Sequence, residues 1–398
     1  MYRLKAIFAL MLVVVFALTA CGSPAAPATP TPNSADPAPV TPTSWAEQYL
    51  FVDRTVDELY ELALQEGRVV WYSISSRSAN IAESFMAQYP GIIVEVYDLR
   101  NNEMIERFGR EYAAGIRNVD LLHLKDQDGT MWFEFVQTGM VHNYFPADIV
   151  ATIDQMYMNY AMPIYIELNQ WFYNTEVFPD GPPITSWWDV TRPEWHGRVM
   201  LRDPLGDIDY LAQLTTIVKH SDEMAADYER VFGQPITLHT ESPTAGHEFI
   251  RRLVANNPIL TTSSGEIITA VGTPGQTNPP IGLAASSGLR RREERGYTLD
   301  IVNITPATGI PNLNVIYIAD EAPNPNAARL LLRWIMGEAD GQGEGFQPFN
   351  TLGGWPVRSN TAPVEGSMPL SDLTLWEHDV EFIYHNIHDV ADFWLSLQ

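Results

Sequence analysis

Cysteine and lysine are scarce in this sequence. Its 398 residues include one cysteine, Cys21, and three lysines, Lys5, Lys125 and Lys219. A single cysteine excludes a disulfide framework and any cysteine-rich zinc or iron–sulfur site. Positive charge is also scarce, because 24 Lys and Arg stand against 49 Asp and Glu and give a net charge of −25. That excess of negative charge argues against a nucleic-acid partner, whose phosphates it would repel.

The common catalytic signatures are absent as well. The sequence has no Gly-x-Ser-x-Gly elbow, no His-Glu-x-x-His motif and no P-loop. A calcium loop beginning at Asp126 fails, because the positions that need Gly and Glu hold Met131 and Gln137. His385 and His388 fit a metal site less well than the polar face of an amphipathic helix. We therefore expect no enzyme activity, no cofactor and no metal ligands. A secreted hydrolase stays open as an alternative, since a Ser–His–Asp arrangement is spatial.

The N-terminus has the pattern of a secretory leader. Arg3 and Lys5 precede an apolar run over 6–17, which is too short for a stable membrane span. The following Leu18-Thr19-Ala20-Cys21 resembles a bacterial lipobox, in which the cysteine becomes the first mature residue and carries a diacylglycerol. We predict a signal peptide over 1–20 and lipidation of Cys21, with an ordinary signal peptide as the alternative. Lipidation would hold the protein on the outer face of the bacterial cytoplasmic membrane.

A tether follows the predicted anchor. Seven of the 23 residues from Gly22 to Ser44 are proline, and the remainder are mostly Ala, Thr and Ser. A segment of this composition is extended and forms no core. We therefore expect residues 21–44 to separate the membrane from a folded part that begins near Trp45.

The first half of the folded part alternates between strand and helix patterns. Thr55 and Glu58 form a capping-box pattern that opens a helix, and Ser78 and Asn102 are caps for two more. The predicted strands are 68–74, 92–97 and 119–124. Strands and helices in this order form right-handed βαβ units with a parallel sheet.

The second half repeats this pattern less regularly. One long strand is expected over 164–173, and an aromatic-rich helical tail over 370–398. Between them the sequence predicts strands at 198–201, 258–262, 281–285 and 315–319, and helices at 208–218, 265–271 and 324–337.

Several segments resemble the iron-, thiamine- and polyamine-type extracytoplasmic solute-binding proteins of ABC importers. They appear in the order of that family: EGRVVWY (66–72), FMAQYPGIIV (85–94), Tyr173-Asn174-Thr175, ITSWWD (184–189), PEWHGRV (193–199), Asp203-Pro204, Ser264-Gly265-Glu266, PIGLA (280–284) and NPNAA (324–328).

The resemblance implies an α/β fold of two Rossmann-like lobes joined by hinge strands, the type II periplasmic binding protein fold. It further implies a division of the chain in three parts: lobe one at 45–165 and 310–340, lobe two at 175–300 and 341–398, and the hinge at 166–174 and 301–309.

Ligands of open parallel sheets bind beyond the carboxyl ends of strands, where helices begin. Three polar loops in such positions start at Ser73, Arg202 and Thr261, and a fourth starts at Lys125. Each serine could simply cap a helix, and each aromatic could belong to the core. The candidate ligand-binding residues are Ser73, Ser75, Ser76, Arg77, Asp126, Tyr165, Trp171, Arg202, Asp203, Gly206, Thr262, Ser263, Ser264 and Trp355.

The chemistry of the solute stays open at this point. Ferric-binding relatives use adjacent tyrosines, and this sequence has no Tyr-Tyr pair. Carboxylates such as Asp126, Asp128, Asp207 and Asp209 would suit a polyamine. The Ser/Thr-rich loops with Arg77 favour an anion or a metal–anion complex.

The resemblance implies a monomeric, lipid-anchored receptor that delivers a small solute to an ABC permease and its ATPase subunits. Alternatives are the hydrolase and a ligand-binding subunit of a sensor on the same fold.

Overall fold

The computed structural model describes residues 44–398. The predicted signal peptide, the lipidation site Cys21 and all of the predicted tether except Ser44 lie outside the described residues. Ser44 caps the first helix, where its side chain accepts a hydrogen bond from the Glu47 N–H. Between residues 44 and 398, none of the helices is both long and apolar enough to span a bilayer.

The elements alternate as expected for an α/β protein. The helices are α1 (Trp45–Tyr49), α2 (Val56–Glu66), α3 (Ser78–Gln88), α4 (Asn101–Ala113), α5 (Ala147–Val150), α6 (Ile208–Lys219), α7 (Ser221–Phe232), α8 (Ala245–Ala255), α9 (Ser264–Gly272), α10 (Arg291–Arg295), α11 (Pro325–Ile335) and α12 (Val380–Ser396). The strands are β1 (Arg68–Ser73), β2 (Ile93–Asp98), β3 (Leu121–Lys125), β4 (Val141–His142), β5 (Met162–Glu167), β6 (Asn169–Asn174), β7 (Val199–Arg202), β8 (Ile259–Thr261), β9 (Ile281–Ala285), β10 (Leu299–Val302), β11 (Asn312–Ala319) and β12 (Trp355–Pro356).

The strands form two sheets. The first has the order β12-β5-β11-β3-β1-β2 with β4 beside β11, and the second has the order β10-β6-β9-β7-β8. Strands β1, β2 and β3 are parallel, and β7 is parallel to both β8 and β9. The predicted fold of two α/β lobes is therefore confirmed. We call the parts around the two sheets the first lobe (44–167 and 312–373) and the second lobe (169–302 and 376–398).

Local sequence signals explain the first βαβ units. The capping box at α2 is present, with the Thr55 side chain on the Glu58 N–H and the Glu58 carboxylate on the Thr55 N–H. Gly67 ends this helix at a φ of 71°, a left-handed conformation that glycine adopts without strain. Buried Val69, Val70 and Trp71 then fill β1, so the predicted helix and strand are confirmed.

The predicted long strand over 164–173 is wrong, because the chain changes sheets within it. Strand β5 pairs with β11 and β12 in the first sheet, and β6 pairs with β9 and β10 in the second. Leu168 lies between them, and its N–H donates to Ser286 Oγ at 3.0 Å. The Ser286 hydroxyl in turn donates to the Gly353 carbonyl. The chain returns to the first sheet between Val302 and Asn312.

The C-terminal part divides between the lobes, which differs from the predicted division. Residues 341–373 were expected in the second lobe, but Phe346, Phe349 and Trp355 pack in the core of the first. The pairing of Trp355 with Ile166 and the stacking of Phe349 on Tyr165, with centroids 4.8 Å apart, account for this placement. Residues 376–398 do lie in the second lobe, where Trp376 is in the core and α12 packs on α6 and α8.

The predicted helical tail over 370–398 is shorter than expected. Residues 370–372 form a single 3₁₀ turn, and the continuous helix begins at Val380. Residues 373–379 between them are not helical, and the Trp376 side chain is buried in the second-lobe core.

Candidate functional site

A cavity of about 210 Å³ lies where the two lobes meet. The carboxyl ends of β1, β3 and β5 reach it from the first lobe, and those of β7 and β9 reach it from the second. This edge is where open α/β sheets bind ligands, because the loops after the strands and the N-termini of the following helices converge there.

Positive charge dominates the lining of this cavity. Five cationic residues face it, although the whole chain has only 24 Lys and Arg: they are Arg77, Lys125, Arg202, Arg290 and Arg291. Among the described residues that line it, Glu167 is the single carboxylate. We refer to it as the cationic cavity. An excess of arginine and lysine in a cleft attracts anions, and arginine can bind carboxylate or phosphate with two parallel hydrogen bonds.

Arg77 is held in place by several first-lobe groups. Its Nη2 donates to the Tyr165 hydroxyl at 2.9 Å, and its Nε donates to Ser75 Oγ at 3.2 Å. The guanidinium also lies 5.1 Å from the centroid of the Phe349 ring. These contacts fix the orientation of the group before any ligand arrives, which lowers the entropy cost of binding.

Lys125 joins the two lobes inside the protein. Its Nζ lies 3.2 Å from Glu167 Oε2 of the first lobe and 3.4 Å from Asp209 Oδ2 of the second. Burial alone would raise the pKa of Glu167, but Lys125 and Arg77 outweigh it and hold that pKa at about 2. Burial would likewise lower the pKa of Lys125, but Glu167 and Asp209 raise it. Lys125 and Glu167 therefore both carry charge at neutral pH.

The second lobe supplies Arg202 and a helix N-terminus. Arg202 pairs with Asp207 and lies over the Tyr210 ring at 4.5 Å. Ser264 and Gly265 line the cavity at the first turn of α9, which Ser263 caps through the Gly265 N–H at 3.1 Å. The N-terminus of a helix carries a partial positive charge, so this turn adds to the attraction for anions.

Six of the residues proposed from the sequence line the cationic cavity: Ser75, Ser76, Arg77, Tyr165, Arg202 and Ser264. The other candidates have structural contacts elsewhere. Ser73 is buried behind the loop, where its Oγ lies 2.6 Å from Ser78 Oγ and 2.8 Å from His123 Nδ1. Asp126 caps the turn that follows it, accepting the N–H groups of Met131 and Trp132.

The remaining candidates are turn, cap or core residues. Asp203 and Gly206 close a turn, with 3.0 Å between the Gly206 nitrogen and the Asp203 carbonyl oxygen. Thr262 does not line the cavity, and Ser263 is occupied as the cap of α9. The two tryptophans among the candidates are core residues, which is the alternative given above for the aromatic candidates. Trp171 packs against Trp187 at 5.6 Å, and Trp355 donates its indole N–H to the Met368 carbonyl at 2.7 Å.

Sequence reasoning missed several lining residues: Glu167, Ser287, Arg290, Arg291 and Asn314. It placed Lys125 only within a candidate loop. The mixed charges over 290–295 are typical of an exposed helix, and Arg292 and Arg295 are indeed exposed. Arg290 and Arg291 instead face the cavity, because the run begins five residues after the end of β9. Their position shortly after a predicted strand is the sequence signal that could have identified Arg290 and Arg291 as cavity residues.

The cavity offers no ready metal-binding set. Within residues 44–398, no group of three or more His, Cys, Asp and Glu is arranged to hold a metal ion. Tyr165 is the one tyrosine among the described lining residues. A bare ferric ion bound by two phenolates therefore does not fit the side chains that line it.

Comparison with known proteins shows the fold. No family model matches the sequence, and no curated protein matches it. Solved structures do match. The periplasmic binding protein AfuA from Actinobacillus pleuropneumoniae, with exogenous fructose-6-phosphate bound, has 15% identity and a TM-score of 0.63 over 83% of this chain and 98% of that chain.

Two further structures match to a similar degree. Iron-bound HitA from Pseudomonas aeruginosa has 15% identity and a TM-score of 0.61 over 83% of this chain and 99% of that chain. The substrate binding protein of an ABC transporter from Agrobacterium tumefaciens has 16% identity and a TM-score of 0.61 over 82% of this chain and 94% of that chain. The chain therefore has the two-lobed fold of the periplasmic binding proteins.

Proposed function

We propose that the protein is the solute receptor of an ABC importer and that its solute is a small anion. The observation that carries the proposal is the concentration of five cationic side chains around one inter-lobe cavity in a protein of net charge −25. A neutral solute gains no charge–charge attraction from that arrangement, and a cationic solute is repelled by it. A metal bound together with an anion is the second form of solute that the lining suits.

Binding and closure are coupled in this proposal. Arg77 and Lys125 belong to the first lobe, and Arg202, Ser264 and Arg291 belong to the second. A solute that contacts both sets binds the closed arrangement more tightly than an open one, so it shifts the population towards the closed form. The closed form then docks on a membrane permease, whose ATPase subunits drive transport.

We propose binding without catalysis. Ser73 and His123 are the one pairing in the described site that resembles a nucleophile with its base. Ser73 is 0% exposed and does not line the cavity, so its hydroxyl does not reach a solute. Burial also lowers the pKa of His123 to about 3. No observation favours the hydrolase or the sensor subunit over the receptor.

We propose that the receptor works as a monomer outside the cytoplasm, anchored by lipid at Cys21. The motif Leu18-Thr19-Ala20-Cys21 and the proline-rich segment after it support this location. Labelling cells with a palmitate analogue should mark the protein, and Cys21→Ala should abolish the label. Label that persists in the variant would overturn the anchoring.

Two adjacent arginines provide a test of the binding proposal. Arg291 lines the cavity, while Arg292 is exposed and lies 3.5 Å from Asp300. In calorimetric titration with phosphate esters, dicarboxylates and ferric citrate, we expect at least one of these anions to bind. Arg291→Ala should weaken it about 10- to 100-fold, since a charge-assisted hydrogen bond contributes about 1.5–3 kcal/mol. Arg292→Ala should leave the affinity unchanged. Equal effects of the two substitutions would overturn the assignment of the cavity.

A further inference from the structure

A second and larger cavity, of about 720 Å³, lies on the other face of the first sheet. Leu313, Val315 and Tyr317 of β11 line it, whereas Asn314 of the same strand lines the cationic cavity. Successive side chains of a strand point to opposite faces. The two cavities are therefore separated by the sheet and do not share a ligand.

Both lobes contribute walls to this second cavity. Tyr317 belongs to the first sheet, and Trp376 belongs to the segment that leads into α12. Trp376 is fixed to the second lobe, because it stacks on His220 at 5.0 Å and donates its indole N–H to Glu223 Oε2 at 2.8 Å. A molecule between Tyr317 and Trp376 would contact both lobes.

The lining is largely aromatic and aliphatic, and none of the described lining residues is Lys or Arg. Tyr157, Tyr160, Tyr317 and Trp376 supply the aromatic walls. The ionisable side chains of the described lining are those of Asp126, Glu377 and His378, besides the tyrosines. We refer to it as the apolar cavity. Its size lies within the range of small-molecule sites, whose walls are mostly apolar with a few polar groups.

Two buried polar groups in this lining have no hydrogen-bond partner among the described residues. Gln127 is 0% exposed, and neither atom of its side-chain amide has a hydrogen-bond partner within the described residues. The hydroxyl of Tyr317, also 0% exposed, is likewise unpaired in the part of the chain that the structure describes. Buried polar groups are normally satisfied, so both call for a bound donor or acceptor.

The Gln127 loop is held firmly in position. His378 Nε2 lies 2.9 Å from the Gln127 carbonyl oxygen, which can only accept, so this nitrogen carries the proton. Gly129 follows two residues after Gln127. It lies so close to α12 that a Cβ added there would be 2.5 Å from Val380 Cγ1. The backbone that carries the Gln127 side chain is therefore fixed at the wall of the cavity.

We propose that the apolar cavity is a second ligand site, which binds a largely apolar, uncharged small molecule through a hydrogen-bonding group placed at Gln127 and Tyr317. Aromatic walls supply the apolar contact, and the absence of cations among the described lining residues separates this ligand class from the anion of the first site. Since the walls come from both lobes, an occupant stabilises the lobe arrangement seen here.

The neutral fluorescent probe N-phenyl-1-naphthylamine tests this site. Its two aromatic groups can pack against the aromatic walls. Its single N–H can donate to the side-chain oxygen of Gln127. We expect saturable binding to the purified protein, with one probe per chain and enhanced emission. Ser371 lines the cavity and is exposed. Ser371→Trp should therefore fill the opening of the cavity without disturbing the core. We expect this variant to bind the probe at least about tenfold more weakly.

Thr374 provides the matched control. It lies three residues along the same segment, is exposed and does not line the cavity. Thr374→Trp should leave probe binding unchanged. Absence of saturable binding, or binding that Ser371→Trp leaves intact, would overturn the proposal. Neither result bears on the receptor function, because the probe carries no negative charge and the variants leave the cationic cavity intact.

Discussion

The two cavities differ in chemistry although they share one sheet. Five cations and a helix N-terminus surround the smaller, whereas the larger is lined mostly by aromatic and aliphatic side chains. Their closest link is β11, where Asn314 faces one cavity and Val315 the other. The comparison shows how a period of two along a strand lets one sheet support two unrelated sites.

The comparison also shows two ways of managing buried polarity. At the cationic cavity Lys125 is paired with both Glu167 and Asp209. In the apolar cavity the Gln127 amide has no partner among residues 44–398. A satisfied network stabilises the empty protein, whereas an unsatisfied group leaves free energy for a ligand to gain.

The largest expected effect is the loss of the buried lysine. Lys125→Met removes the cation that two buried carboxylates share, and we expect this to cost about 3 kcal/mol of unfolding free energy. Lys219→Met is the control, because Lys219 pairs with Asp379 where both are partly exposed, and its loss costs about 1 kcal/mol or less. Denaturant unfolding measures both. Similar losses in the two variants would show that the network around the cationic cavity contributes no special stability.

Independence of the two cavities is the next prediction. An anion that binds the cationic cavity and N-phenyl-1-naphthylamine should bind together, each without displacing the other. Arg291→Ala should lower the affinity for the anion alone, and Ser371→Trp should lower the affinity for the probe alone, each by about tenfold or more. Displacement of one ligand by the other in a competition titration would contradict the separation of the sites by the sheet.

A pH dependence follows from Asp126, which borders the apolar cavity. Burial, and then the charge on Asp128, raise the pKa of Asp126 to about 7. Between pH 4 and 7 the folded state therefore holds a proton that the unfolded state has lost, so this residue's contribution to stability falls as pH rises. The Asp126→Asn variant has no carboxyl to titrate at this position. Its free energy of unfolding should therefore lack this fall, which is at most about 1.4 kcal/mol per pH unit.

An exposed capping aspartate is the control for this measurement. Asp154 accepts the Met156 N–H at 3.0 Å, so Asp154→Asn changes a cap without removing a buried carboxyl. Unfolding free energies measured from pH 4 to 8 should diverge from the wild type only for Asp126→Asn. If unfolding free energy depended on pH in the same way for the wild type and both variants, Asp126 would not be a buried carboxyl with a raised pKa.

The smallest expected effect is that of salt. Raising NaCl from about 0.05 to 0.5 M shortens the screening length, and we expect it to weaken anion binding about threefold. Binding of the uncharged probe should not weaken. A salt-sensitive probe titration would contradict the assignment of an uncharged ligand to the apolar cavity.

The sequence predicted the first βαβ units well because their signals are local. Thr55, Glu58 and Gly67 begin and end α2 through contacts within a few residues. The break at Leu168 had no such signal, since residues 164–173 contain neither glycine nor proline. Only pairing with two different sheets divides it.

The site was predicted in part for the same reason. Loops that follow predicted strands supplied Ser75, Arg77 and Arg202, because position at a strand end is readable from the sequence. Arg291 was missed since alternating charges resemble a solvated helix. Trp355 was misplaced because only its pairing with Ile166 shows that residues 341–373 join the first lobe.

Thermal unfolding in the presence of a solute panel tests the central claim most directly. The panel comprises phosphate esters, dicarboxylates and ferric citrate as anions, fructose as a neutral sugar, and spermidine and thiamine as cations. A solute at a hundred times its dissociation constant adds about 2.7 kcal/mol of stability. An anionic receptor predicts that every stabilising member is an anion and that Arg291→Ala reduces its shift. Stabilisation by spermidine, thiamine or fructose, or by no anion at all, would contradict it.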